Sequence, residues 1–76
     1  MLIRINGRLR FFGRLDKVTK VRTGIYEVER NGITYHVEGG RTRGGTAREW
    51  FVHAPGWERS ILTTGLVDSL NLIDGA

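Results

Sequence analysis

Residues 25–73 predict an α+β domain, an antiparallel sheet of three to five strands with one C-terminal helix packed on one face. Three observations predict it: an Asn-Gly hairpin within IYEVERNGITYHVE, an aromatic run EWFVH, and an apolar stripe between Ser60 and Ile73. Strand periodicity that gives way to helical periodicity along one chain is the pattern of a two-layer fold.

The hairpin is the firmest of the three. Asn31-Gly32 suits a type I′ turn, because both central residues of that turn need φ > 0. A two-residue turn sets Tyr26 opposite Val37, Val28 opposite Tyr35 and Arg30 opposite Ile33. Side chains alternate across a strand, so Glu27, Glu29, Thr34, His36 and Glu38 share the other face. One face is apolar and one is polar.

Before the hairpin, Leu2 to Phe12 reads as a first strand pair with Asn6-Gly7 as its turn. A three-residue loop there would pair Ile5 with Leu9 and Ile3 with Phe11. That register gathers the apolar residues and puts Arg4 beside Arg10, so it is the one expected. Lys17 to Arg22 reads as a short lysine-bearing strand.

After Glu38, the segment GGRTRGGTAR reads as a loop, with four glycines and three arginines in ten residues. Glu49 to His53 returns as a strand antiparallel to Thr34–Glu38, and Ala54-Pro55-Gly56 ends it. Only one of Trp50 and Phe51 can face the helix. Leu62, Leu66, Leu70 and Ile73 fall at i, i+4, i+8 and i+11, so the helix is expected within 60–73, with Thr63 or Thr64 as its cap and Gly75 beyond its end.

Seventy-six residues without a cysteine make a single domain, 1–76, with no disulfide and no thiolate metal site. It divides into a basic N-terminal hairpin and strand (1–22), a central antiparallel sheet (25–53) and the helix (60–73). No stretch has the length of a membrane span or a signal peptide's apolar core, so a cytoplasmic protein is expected. Charge is unevenly placed. Residues 1–22 hold seven cations against Asp16, a net of +6, and the remainder holds five arginines against seven carboxylates, a net of −2. Ten of the twelve cations are arginine, whose planar fork matches phosphate and carboxylate.

Two basic segments are therefore candidate binding sites. In the first, Arg4, Arg8 and Arg10 alternate along strands and form either a cationic stripe that attracts nucleic acid or a charge-protected edge. In the second, Arg41, Arg43 and Arg48 lie among glycines that let the backbone approach phosphates closely; the other reading is a solvated hairpin loop. Trp57 is a candidate anchor for a protein partner. His36 and His53 meet if β pairing aligns them, with Glu27 across from His36. Ser-His-Asp spacing, HExxH and a P-loop ending are all missing from the sequence, so neither an enzyme, a metal nor a cofactor is expected.

The order of hairpin, strand and helix in residues 25–73 is similar to the three-stranded DNA-reading domains of the AP2 and integrase N-terminal type, which lay their sheet in the major groove. This chain departs from them in presenting Glu27, Glu29 and Glu38 where those readers present arginines. Its length and arginine-rich, cysteine-free style resemble the small accessory proteins of actinobacterial phages. The alternative fold is a small SH3-like or OB-like barrel closed by the N-terminal strands. The expected function is a small basic non-enzymatic module that binds nucleic acid. The alternative is an effector or inhibitor, of phage type, that docks on an acidic or hydrophobic protein surface.

Overall fold

Both Asn-Gly dipeptides turn the chain in the left-handed region, with φ of 50° and 78° at Asn6 and Gly7 and of 51° and 80° at Asn31 and Gly32. These are the signs that a type I′ turn requires, and each turn closes a two-residue hairpin. A computed structural model describes residues 1–41 and 48–76, the side chains of Arg41 and Arg48 excepted. The chain forms β1 (Leu2–Ile5), β2 (Arg8–Phe11), β3 (Lys17–Arg22), β4 (Ile25–Arg30), β5 (Ile33–Arg41), β6 (Arg48–His53), β7 (Ile61–Thr63) and α1 (Leu66–Asp74). Strands β3 to β7 make a five-stranded antiparallel meander in chain order, and β1 and β2 make a separate two-stranded sheet.

The fold is thus α+β, with the helix over one face of an open sheet rather than a closed barrel. Strands β3 and β7 are the sheet's two edges. The central register is the one expected, with Tyr26 opposite Val37, Val28 opposite Tyr35 and Arg30 opposite Ile33. Val28, Val37 and Val52 point to the inner face and are fully buried there. Leu70 and Ile73 of α1 cover them, each removing apolar area worth about 1.5–3 kcal/mol from water. Ile5, Phe12 and Leu15 reach the same core from the N-terminal segment. Hairpin and helix therefore share the inner face, and the outer face has neither over it.

Three expectations are corrected. In the N-terminal hairpin, Ile5 pairs with Arg8, Arg4 with Leu9, Ile3 with Arg10 and Leu2 with Phe11. The Asn-Gly turn, which closes with two residues, outweighs the gain from gathering apolar side chains. Met1 and Phe12 extend the ladder, each accepting from the other's nitrogen at 2.9 Å. The outcome is an inward face with Ile3, Ile5 and Phe12, and an outward face that leaves Leu2, Leu9 and Phe11 at 65%, 60% and 71% exposure.

The second correction concerns the helix, which starts at Leu66 rather than within 60–65. Ile61–Thr63 instead pairs antiparallel with Trp50–Val52, and Leu62 is 72% exposed on this edge strand. A β-branched run, Ile61 with Thr63 and Thr64, favours the extended chain, and an extended Gly65 ends it. Neither Thr63 nor Thr64 caps α1 through its side chain. The Asp68 carboxylate accepts from the Thr64 backbone N–H at 3.0 Å. Buried Ser69 donates its hydroxyl to Gly65 O at 2.8 Å and lies 2.7 Å from the Thr63 hydroxyl. Gly75 follows the helix as expected.

The third correction shortens the glycine-arginine loop. Strand β5 continues through Gly39 and Gly40 to Arg41, and β6 begins at Arg48. Gly39 has a packing role here, because the Trp50 ring occupies the space a side chain would take.

Candidate nucleic-acid interface

Arg4, Arg8, Arg10, Arg14, Lys17, Lys20 and Arg22 are all exposed. Among the described residues the one ion-pair geometry is His36 Nε2 to Glu38 Oε1 at 3.2 Å, so none of these seven is held by a carboxylate. Arg8 and Arg10 share one face of the N-terminal hairpin and Arg4 lies on the other, which splits the expected stripe. The hairpin does bring Arg4 toward Lys20 of β3. A cleft of about 560 Å³ lies between them, with Ile3, Arg4 and Asn6 on one side, Lys20 and Tyr26 on the other, and Leu70 of α1 also lining it.

A second cleft, of about 450 Å³, adjoins the first through Asn6 and Tyr26, which line both. Its remaining lining includes Thr23, Gly39, Gly40 and Trp50. Register explains how these residues meet. Tyr26 lies opposite Val37, and Trp50 lies opposite Gly39 one pair further along the inner face. With no side chain at Gly39, the indole leans over that strand and stacks with Tyr26, centroids 6.4 Å apart at 30°. Gly24, at φ 82°, sits so close to Gly39 that its O accepts from Gly39 N at 2.8 Å.

This geometry places the tip of the first hairpin next to the Gly39–Gly40 segment. Arg41 and Arg48 are paired across β5 and β6 just past that segment, and Arg43 lies outside the described residues. Trp57 is not part of this group. It sits near the opposite end of β5, half-buried, edge-on to Tyr35 at 5.9 Å and to His53 at 6.5 Å.

Sequence reasoning gave no role to Tyr26 and Asn6, which line both clefts, and weighed Trp50 only as a possible exposed anchor. A signal for Trp50 existed: pairing EWFVH with β5 so that Val37 meets Val52 sets the tryptophan against a glycine. Phe51 takes the outer face, 6.1 Å from His36 and across from Leu62.

Glu27, His36 and His53 do form one cross-strand row on the outer face. His36 turns to Glu38, and His53 Nδ1 lies 3.3 Å from the Ser60 hydroxyl. Among the described residues no group of three His, Asp or Glu side chains is placed to hold a metal ion. Nor is any helix among them long and apolar enough to cross a membrane. Compared with protein-family models, curated proteins and solved structures, the chain matches none.

Proposed function

We propose that this chain is a binding module rather than an enzyme, and that it binds nucleic acid through the cations of the β1–β2 hairpin and the neighbouring β3 edge. The observation that carries the reading is the set of seven exposed cations without carboxylate partners among the described residues, two of them lining one cleft. Cations already paired with carboxylates gain little from a phosphate. Unpaired ones gain the attraction and release the counterions condensed on the nucleic acid. Glu27, Glu29 and Glu38 lie on the outer face of the sheet, so that face is unsuited to a major groove and the contact runs along the hairpin side instead.

The test is fluorescence anisotropy with labelled single-stranded and duplex oligonucleotides of about 12 nucleotides, near the site size of small single-strand binders. At about 50 mM salt, where counterion release favours association most, binding to at least one of them is expected. No association with either would retire the reading.

One observation favours a second reading, a small effector that docks on a hydrophobic protein surface. Leu2, Leu9 and Phe11 share the outward face of the first hairpin and are all more than half exposed. If that face is the interface, Leu9→Ser with Phe11→Ser abolishes partner binding while the arginines are dispensable. Nucleic acid binding predicts the reverse.

A further inference from the structure

We infer that the nucleic acid bound is single-stranded, and that one unpaired base enters the cleft formed by Asn6, Tyr26 and Trp50. The inference rests on the nucleic-acid reading above and adds the strandedness of the ligand and the residues that receive it.

Two adjoining clefts differ in chemistry in the way a nucleotide does. The larger is lined mainly by apolar side chains but carries Arg4 and Lys20, two cations suited to phosphate oxygens. Among the described residues, the lining of the smaller carries no charged side chain. It offers two aromatic rings, the Asn6 amide, the Thr23 hydroxyl and glycine backbone. An aromatic slot beside two cations suits a base next to its phosphodiester, because every base has a π-face and the stacking tolerates any sequence.

Geometry supplies the opening. Tyr26 and Trp50 are half-buried, fixed against each other from the core side, while Asn6, Thr23 and Gly40 at the rim are exposed. The backbone of Gly39 and Gly40 lines the slot, and a volume of about 450 Å³ lies within the usual range of small-molecule sites. Asn6 belongs to both clefts and carries one amide donor group and one acceptor, the pair needed to read a base edge. A strand laid across Asn6 therefore has its backbone on Arg4 and Lys20 and a base against Trp50. A duplex keeps its bases paired and stacked within the helix and has none to insert without a cost in unstacking.

Titration of ¹⁵N-labelled protein with an oligothymidylate of about 12 nucleotides and with a duplex of equal length tests this. The chain has two tryptophans, so the Trp57 indole serves as an internal control for Trp50. The expected result is a shift of the Trp50 indole N–H with the single strand, an unmoved Trp57, and affinity for the single strand about tenfold or more above the duplex. Asn6→Gly keeps the turn, because glycine adopts φ 50° freely, and is expected to lower single-strand affinity about five- to tenfold. Equal affinities with a stationary Trp50 resonance, or an Asn6→Gly variant that binds the single strand like wild type, would overturn the inference and leave the nucleic-acid reading in place. Failure of both ligands to bind would overturn that reading and this site with it.

Discussion

The Trp50 indole lies over the Cα of Gly39, so closely that a side-chain carbon at position 39 would fall 2.0 Å from the ring. Gly39→Ala forces the ring away, breaks its stacking on Tyr26 and distorts the smaller cleft. The expected cost is about 1–3 kcal/mol in urea denaturation, with a changed near-ultraviolet circular dichroism signal. Wild-type stability and an unaltered spectrum would mean that the ring lies elsewhere.

Gly32 presents the opposite situation. Nothing lies within 4 Å of the place its side chain would take, yet its φ is +80°. Gly32→Val therefore meets no neighbour and acts through backbone strain alone, about 1–2 kcal/mol. Thermal unfolding coincident with wild type would contradict the type I′ turn.

Leu62 and Leu70 separate the expected helix from the observed one. Leu70 is wholly buried on the inner side of α1, and Leu70→Ala is expected to destabilise by about 2–5 kcal/mol. Leu62, on an edge strand and mostly exposed, is expected to tolerate alanine within about 0.5 kcal/mol. Equal losses in denaturant titrations of the two variants would restore Leu62 to the helical stripe.

The contrast between those two leucines shows where the sequence was legible. Turn chemistry and alternation agreed for residues 25–38, and the register followed residue by residue. At Leu62 the helical spacing was present by coincidence, and only the extended Gly65 and the pairing to β6 reveal that the local β-branched residues decided the outcome. In the first hairpin two rules conflicted. Apolar grouping favoured three loop residues and Asn6-Gly7 favoured two, and the turn prevailed because Phe12 and Ile5 still reach the core from that register. The basic segments were visible as composition. The meeting of Asn6 with Tyr26 and Trp50 was not, since it depends on how the two-stranded sheet packs on the core through Ile5 and Phe12, a long-range packing that no local pattern encodes.

The central claim, that the hairpin cations neutralise phosphates, is tested most directly by the slope of log K against log salt concentration for wild type and for the triple variant Arg4→Ala, Arg8→Ala, Arg10→Ala. All three side chains are exposed, so the fold is expected to survive their loss. Each phosphate contact removed lowers the slope by nearly one, and the account predicts a slope shallower by about 2–3 in the variant, with weaker binding to every sequence alike. A variant that binds as tightly as wild type with an equally steep slope would contradict it.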